Sequence, residues 1–259
     1  MKAIWNGAVG FGLVNIPIKL YSATESDTLN LDMLDRNDLS NIRYKRVNEN
    51  TGKEVAWDNI VKGYKIDEHY VVLTDKDFQA ASPEKTKILR IFQFVKEGEI
   101  DPAFFDTPYY LEPQKNGESA YQLLLEALIK TKLTGIGSVI LREREILCLI
   151  RPFQGKVLML NSMRYPEEIK TYHDLKIPAA KSAPPEELKM AEALIKSLAS
   201  SFEPSAYKDT YHSDLLKIIR QKAKGKKIPT YTSTEQQAKT TDLMALLKAS
   251  LEKEKKITG

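Results

Sequence analysis

Side chains that could carry catalysis or bind a metal are few in this sequence, and they are not grouped. The histidines, His69, His173 and His212, stand far apart, and none has a cysteine or histidine at the spacing of a zinc site. No glycine-rich loop ends in Lys-Ser or Lys-Thr, and no Gly-x-Ser-x-Gly sequence occurs. The sequence therefore lacks the signatures of zinc sites, P-loop nucleotide binding and the α/β-hydrolase nucleophile.

The acids Asp32, Asp35 and Asp38 form a group whose spacing could serve a reaction. Carboxylates are ligands that Mg²⁺ prefers, so these three could hold the metal of a DNA-cleaving enzyme. The alternative, which we favour, is that they are the solvated charges of a loop. Magnesium-dependent cleavage of linear DNA would distinguish the two interpretations.

Two basic pairs lie in the body of the chain, Lys45 with Arg46 and Arg142 with Arg144. Clustered cations bind phosphates, but such charges are also common on solvated surfaces, and Glu143 can pair with its neighbours. Taken alone, these four residues are better explained as surface charge.

The tail of the chain carries the excess of positive charge. The formal net charge is +4, but residues 170–259 hold 17 Lys and Arg against 11 Asp and Glu, whereas residues 1–169 hold 22 against 24. The body would therefore bind a polyanion through local clusters and not through its overall field. Uncompensated cations directly after an aromatic-bearing helix favour phosphate contact. This tail cluster consists of Arg220, Lys222, Lys224, Lys226 and Lys227.

An amphipathic segment follows a polar linker at Tyr231–Thr241. Its apolar side chains recur at helical spacing, and two interpretations remain open. The segment either packs back on the body as a helix or binds in the groove of a partner protein, and the long polar linker makes both equally reasonable. This apolar stripe consists of Leu243, Met244, Leu246, Leu247 and Leu251.

The elements that must position these groups are organised around residues 135–165. Three short apolar runs, Ser138–Leu141, Ile146–Ile150 and Val157–Leu160, are separated by a charged tip and a Pro-Phe-Gln-Gly turn, which predicts an antiparallel meander. Strands this apolar do not leave a face in water, because burying apolar surface stabilises the fold by roughly 25 cal/mol per Å². A helix predicted at Glu118–Lys132, apolar at i, i+3, i+4 and i+7, would cover one face.

The remaining elements follow from alternation, turn residues and caps. We predict a curved strand pair at Ile4–Ser22, a strand at Leu29–Arg36, and a hairpin with a basic first arm at Asn41–Trp57 that turns at Asn48–Gly52. Further strands are predicted at Tyr70–Leu73 and Lys87–Lys96, with a helix between them at Asp75–Ala81 capped by Thr74 and Asp77. An extended connection at Asp101–Pro113 and helices at about Glu186–Phe202 and Pro204–Lys222 complete the prediction.

Composition indicates a globular protein. A chain of 259 residues that is 42% hydrophobic can bury a core in one large or two modest domains. Its single cysteine, Cys148, lies in an apolar run, so we predict a core residue, no disulfide framework and a reducing compartment. The amino terminus does not have the pattern of a secretion signal, and no run is long enough to span a membrane. A cytoplasmic protein is expected.

Five segments, in collinear order over nearly the whole chain, resemble the bacterial Ku family. They are FGLVNIPIKLYSA (Phe11–Ala23), RYKRVNENTGKEV (Arg43–Val55), IVKGY with YVVLTDKDF (Ile60–Phe78), YYLEP (Tyr109–Pro113) followed by AYQLLLEAL, and DLMALLKASL (Asp242–Leu251).

The resemblance implies an α+β, mainly β fold, with a Ku-type β-barrel core, protruding ring-forming arms and a helical carboxy-terminal arm. Two identical subunits would interlock into a ring that threads an end of double-stranded DNA whatever its sequence. The implied role is non-catalytic and needs no cofactor or metal. The protein would act on the nucleoid in non-homologous end joining, a form of double-strand break repair, and would recruit and stimulate an ATP-dependent DNA ligase.

The resemblance also divides the chain. Residues 1–180 would form the barrel core, with the dimerisation and DNA-encircling arm at about 30–75. Residues 181–228 would form a helical arm ending in the tail cluster, and residues 229–259 a linker and a short amphipathic helix. Many members carry a longer lysine-rich extension beyond the point where this sequence stops, so we do not expect that extension's functions here.

In such a ring the basic residues would line the inner surface, where they can contact phosphates of the duplex. This binding would not depend on base sequence, because phosphates are the same in every sequence. The apolar stripe Leu243, Met244, Leu246, Leu247 and Leu251 would bind the ligase. The residues predicted to contact DNA are Lys19, Lys45, Arg46, Lys53, Arg142, Arg144, Arg220, Lys222, Lys224, Lys226 and Lys227.

Two other functions remain open at this point. One is the metal-dependent nuclease of Asp32, Asp35 and Asp38. The other is an architectural protein that bends DNA and is held by the tail cluster alone, which would bind closed circles as well as ends.

Overall fold

The structure, a computed structural model, describes residues 1–25, 28–81, 86–141, 144–178, 182–226, 244, 246–250 and 252. The chain divides into two compact units, Met1–His173 and Asp174–Gly259. The first unit contains nine strands and two helices within the described residues, in chain order β1 (Trp5–Phe11), β2 (Val14–Ser22), β3 (Lys62–Ile66), β4 (His69–Leu73), α1 (Asp75–Ala81), β5 (Ile88–Val95), β6 (Phe105–Pro113), α2 (Glu118–Thr131), β7 (Thr134–Leu141), β8 (Arg144–Phe153) and β9 (Val157–Met163). The second unit contains the helices α3 (Pro185–Leu198) and α4 (Thr210–Ala223).

Seven strands of the first unit close into a barrel in the order β1-β2-β6-β9-β8-β7-β5. All neighbours are antiparallel except β1 and β5, which pair in parallel and close the ring of strands. The backbones approach closely at this seam, where a Cβ on Gly7 would collide with the carbonyl oxygen of Lys87. They also do so between β7 and β5, where a Cβ on Gly137 would collide with the carbonyl oxygen of Arg90. Closure leaves the barrel without an unpaired edge. The predicted Ku-type barrel is confirmed.

The barrel core is formed by one face of each strand and by the apolar face of α2. Along β2, Ile16, Ile18 and Leu20 are buried while the residues between them are not, as the two-residue period of a strand requires. Helix α2 contributes four buried side chains to the same cluster, so the predicted helix on a sheet is confirmed. Cys148 is buried in this cluster, and burial raises the pKa of its thiol. The core side chains of α2 are Tyr121, Leu124, Leu125 and Leu128.

The tyrosine of α2 ties the helix to two strands. The Tyr121 hydroxyl donates to the carbonyl oxygen of Leu111 on β6 at 2.8 Å and accepts from the amide of Leu158 on β9 at 2.7 Å. A buried hydroxyl with both partners satisfied avoids the desolvation cost of an unpaired polar group. The pKa of Tyr121 is raised, chiefly because the phenol is removed from water.

Two predictions of elements were wrong. Asp101–Pro113 is not a connection, because Phe105–Pro113 forms β6, a full barrel strand between β2 and β9. The register of β6 against β9 shifts between Phe105 and Pro108, and such an irregularity tolerates a residue that cannot donate a hydrogen bond. Leu29–Arg36 is not a strand, since it forms only an isolated bridge from Leu34 to Asn41.

Residues 28–81, called the arm from here on, differ from the barrel. The arm contains the two-stranded sheet of β3 and β4 and the short helix α1. The predicted hairpin at Asn41–Trp57 is present as a turn with a single bridge, Val47 to Glu54, between its sides. The predicted cap of α1 is confirmed, because Asp77 accepts from both the amide and the hydroxyl of Thr74. No residue of the arm is buried.

In the second unit, α3 and α4 carry no buried residue. Helix α4 begins at Thr210 and not at Pro204, because the Asp209 side chain accepts from the His212 amide and caps it there. Pro204–Ala206 forms a separate 3-10 turn. Among the described residues, no helix has the length and apolar character needed to cross a membrane.

Candidate nucleic-acid interface

The hairpin of the arm has an ordered turn. The Asn48 amide donates to the Lys53 carbonyl oxygen at 2.9 Å, and the Gly52 amide donates to the Asn48 carbonyl oxygen at 2.8 Å. The Asn48 side chain accepts from the amides of Asn50 and Thr51. Gly52 has φ +65°, which glycine adopts without strain. The turn is therefore held by its own backbone and fixes the positions of the cations beside it.

The three predicted cations of this hairpin have different surroundings. The Lys45 ammonium pairs with the Glu54 carboxylate at 2.7 Å, so its charge is compensated. The Arg46 guanidinium lies over the indole of Trp57, with Cζ 4.2 Å from the ring centroid. Lys53 is exposed at the turn. Within the described part of the chain, no carboxylate lies within 4 Å of the Arg46 or Lys53 side-chain nitrogens.

A second cation lies on an aromatic ring in the same arm. The Lys62 ammonium is 4.8 Å from the centroid of the Phe78 ring, which joins β3 to α1. The sequence alone did not identify Lys62, Phe78 or Trp57 as partners of this kind. The observed register accounts for Trp57: with Val47 opposite Glu54, Arg46 lies opposite Val55, and Trp57, two residues further on, is its diagonal neighbour.

Charge along the arm is uneven. Residues 41–65 carry six Lys and Arg against three Asp and Glu, whereas the parts of the arm on either side are acidic. The acidic part before the hairpin contains Asp32, Asp35 and Asp38. Asp35 accepts from the Asn37 amide, and Asp38 accepts from the amide and hydroxyl of Ser40, which lowers its pKa. Asp35 and Asp38 therefore accept hydrogen bonds from residues of their own loop. The described residues contain no cluster of three or more metal-binding side chains.

Two of the predicted cations, Lys19 and Arg144, lie on strands of the barrel. Lys19 is half-buried on β2, opposite Asn6 on β1 and Glu112 on β6. Arg144 is exposed at the start of β8, where it lines a cleft of about 810 Å³. Arg142 lies outside the described residues.

The cleft beside Arg144 has mixed charge. Arg164 pairs with Asp106 across 3.2 Å, and Glu145 lines the same wall. The pKa of Tyr165 in this cleft is raised, first by burial and then by the nearby Glu145 carboxylate. Carboxylates this close weaken the attraction of Arg144 for a phosphate, so its contact with DNA stays a prediction.

The tail cluster belongs to the second unit. Arg220 and Lys222 lie in the last turn of α4, where cations interact favourably with the helix dipole, and Lys224 and Lys226 follow directly. These four residues are exposed, and none has a described carboxylate within 4 Å. Lys227 lies outside the described residues.

The apolar stripe is described only in part. Met244 and Leu247 are half-buried and Leu246 is 47% exposed in a helical segment, while Leu243 and Leu251 lie outside the described residues. The arrangement therefore leaves both interpretations of the stripe as predictions.

Apolar side chains accompany the cations of the arm. Sixteen large apolar residues of the arm are exposed, among them Trp57 at 68%, Tyr64 at 67% and Tyr70 at 71%. In the sheet, Tyr64 stands directly opposite Val71. A two-stranded sheet with apolar groups on both faces is at best marginally stable in water. The arm therefore has the properties of an interaction surface.

Comparison with known proteins gives consistent matches. Residues 10–190 match the family model described as Ku70/Ku80 beta-barrel domain. The chain is 39% identical to the non-homologous end joining protein Ku of Cupriavidus necator, over 96% of this chain and 77% of that protein. The protein of the same name from Opitutus terrae is 39% identical over 97% and 91%, and that of Bacillus subtilis is 37% identical over 98% and 82%.

Proposed function

This chain belongs to the Ku β-barrel family, and from that premise we propose that it binds ends of double-stranded DNA, whatever their sequence, as a ring-shaped homodimer in non-homologous end joining. The observation that carries the proposal is the arm, which has no buried residue although it carries sixteen exposed large apolar side chains. Exposed apolar patches of that size mark surfaces that bind another molecule. The proposed cover is a second copy of the chain.

Interlocking arms account for both sets of exposed groups. Apolar residues of the arm on the sheet of β3 and β4 would be buried between subunits, in an interface of more than roughly 2,000 Å². The basic segment 41–65 would then face the enclosed space and contact phosphates. A closed ring grips any sequence, because phosphate contacts position the protein without identifying bases. It also requires an end, because a covalently closed circle cannot be threaded.

Among the predicted DNA contacts, the hairpin residues Arg46 and Lys53 have the strongest support, since no described carboxylate compensates them. Three other predicted contacts have weaker support: Lys45 is paired with Glu54, Lys19 is half-buried between strands, and Arg144 lines a cleft that also contains carboxylates. The tail cluster has exposed and uncompensated charge, which supports a second, independent contact with the duplex.

The proposed role is binding, and sealing of the break is assigned to a separate ATP-dependent DNA ligase. The apolar stripe is the proposed ligase contact. Its support is the half-exposed Leu246 on a helical segment that follows a polar linker. Leu247→Asp should abolish ligase stimulation and keep end binding, as measured by ligation and by gel shift. Loss of both activities together would mean that the stripe packs within the protein.

Competition binding tests the central proposal. The protein is mixed with a short labelled duplex and equal base pairs of linear or covalently closed circular competitor, and only the linear competitor should displace the label. Equal displacement by the circle would overturn the ring and favour lateral binding by the tail cluster. The same reaction with Mg²⁺ should return intact linear DNA, whereas cleavage would indicate a nuclease.

A further inference from the structure

We propose that Trp57 is a positioning residue for DNA binding: its indole holds the Arg46 guanidinium in the orientation in which that side chain binds a phosphate. This inference rests on the proposed function. Its basis is the contact between the two side chains, with Cζ of Arg46 4.2 Å from the centroid of the Trp57 ring. That distance is well inside the range in which an aromatic face attracts a cation.

The backbone holds both partners in place. The Val55 amide donates to the carbonyl oxygen of Arg46 at 2.8 Å, on the second side of the hairpin. Trp57 begins a 3-10 turn, and the Ile60 amide donates to its carbonyl oxygen at 3.0 Å. The side chains therefore meet from two short segments that are each hydrogen-bonded, so the contact is built into the hairpin.

Stacking leaves the phosphate-binding part of the guanidinium open. Arginine contacts a ring through the flat face of its guanidinium and a phosphate through the N–H groups at its edge, so one side chain can do both at once. Arg46 is exposed and has no described carboxylate within 4 Å, whereas the adjacent Lys45 is paired with Glu54. The stacked arginine is thus the hairpin cation whose donors are both oriented and available.

Trp57 itself is not a core residue. It is 68% exposed, so its position over Arg46 does not follow from burial in the barrel. Fixing the guanidinium before DNA arrives reduces the side-chain ordering that binding would otherwise require. The indole accordingly supports DNA affinity without touching DNA.

A double-mutant cycle measures this coupling directly. Wild type, Trp57→Ala, Arg46→Ala and the double variant are titrated with a short linear duplex across a salt series. Arg46→Ala should lower the salt slope by about 0.9 for each phosphate that the variant no longer neutralises. Trp57→Ala should weaken Kd about 2- to 5-fold per site, and it should have no further effect in the Arg46→Ala protein.

Conservative variants distinguish positioning by an aromatic ring from the effect of a large side chain alone. Trp57→Phe and Trp57→Tyr should retain most of the affinity, because both rings attract a cation, whereas Trp57→Leu should behave like Trp57→Ala. Arg46→Lys should keep the salt slope and still weaken Kd, because the ammonium lacks the planar stack. Tyr172→Ala is the matched control: Tyr172 is 67% exposed and its ring contacts His173, so its removal should leave Kd unchanged.

Several results would overturn the inference. Additive losses in the cycle, full affinity in Trp57→Leu, or a Trp57→Ala protein that sediments as a monomer would each assign Trp57 a different role. If the wild-type protein binds linear duplex but the losses in the cycle are additive, the proposed function stands and only this inference fails. A wild-type protein that binds no duplex would overturn both.

Discussion

The barrel and the arm lie in the same compact unit but are stabilised in different ways. Each barrel strand has two hydrogen-bonded neighbours, and the inner faces share a core in which side chains such as Ile18, Ile150 and Leu160 are fully buried. In the arm, β3 and β4 have one neighbour each and no residue is buried. The barrel therefore has a core of its own, whereas the arm leaves its large apolar side chains exposed.

The largest expected effect tests whether the arm depends on a second copy. Tyr64→Asp with Val71→Asp places two carboxylates on one face of the sheet of β3 and β4, where the homodimer would bury them. An uncompensated buried charge costs about 3–5 kcal/mol, so the variant should sediment as a monomer whose barrel remains folded and still unfolds cooperatively.

The matched control for that variant is Phe92→Asp, which changes an exposed aromatic residue of the barrel and should remain a dimer. Unfolding of the Tyr64/Val71 variant at the temperature where the control is folded would contradict the independence of the barrel.

A core truncation should be almost as costly and should not depend on assembly. Leu160 is fully buried on β9, so Leu160→Ala should lower the free energy of unfolding by about 2–5 kcal/mol through reduced burial and the cavity left behind. Urea denaturation at two protein concentrations measures this decrease. A decrease that vanished at high concentration would show that the dimer, and not the barrel, supplies the stability.

A smaller effect is expected where α2 joins the barrel. Tyr121→Phe removes the hydroxyl that connects Leu111 and Leu158 and leaves a buried amide without its acceptor. The expected cost is about 1–3 kcal/mol by urea denaturation. Tyr172→Phe, at an exposed site, provides the control and should be neutral.

The smallest effect concerns pH and the arm alone. Hydrogen bonds from the Thr74 hydroxyl, and then from its amide, lower the pKa of Asp77 below its ordinary value of about 3.9. Because the folded pKa is depressed, the cap is fully present above that ordinary value and is lost as pH falls through the lowered pKa. NMR should show the protection of the Thr74 amide, measured as its exchange relative to an unprotected amide at the same pH, decreasing below about pH 4. Asp77→Asn should remove this pH dependence, and a dependence that persists would assign it to another group.

Regular periodicity made much of the barrel predictable. The apolar runs at 138–160 and the helical spacing at 118–132 identified β7, β8, β9 and α2, because each pattern is local to its element. Strand β6 was missed because its prolines suggested a connection, and only the register shift against β9 explains how Pro108 fits. The parallel pairing of β1 with β5 joins segments about 80 residues apart, which no local pattern encodes.

The site was predictable at the level of residue type and not of contacts. The hairpin and its cations were found from turn residues and charge, but whether Lys45 or Arg46 is compensated depends on which residue faces each across the hairpin. The strand predicted at Leu29–Arg36 does not form, and the segment makes only the isolated bridge from Leu34 to Asn41.

The seam strand β1 separates the two points where the arm joins the barrel. The Ile4 amide donates to Leu20 at the end of β2, and the Ala8 amide donates to Lys87 at the start of β5, so the chain departs and returns on either side of one strand. The end of β2 and the start of β5 are therefore two strand spacings apart, roughly 10 Å, which a few residues can span. Doubling the length of such a loop adds only about 0.6 kcal/mol of closure entropy. The arm is in effect an insertion, and evolution can lengthen, shorten or replace it while the barrel sequence remains under separate constraint.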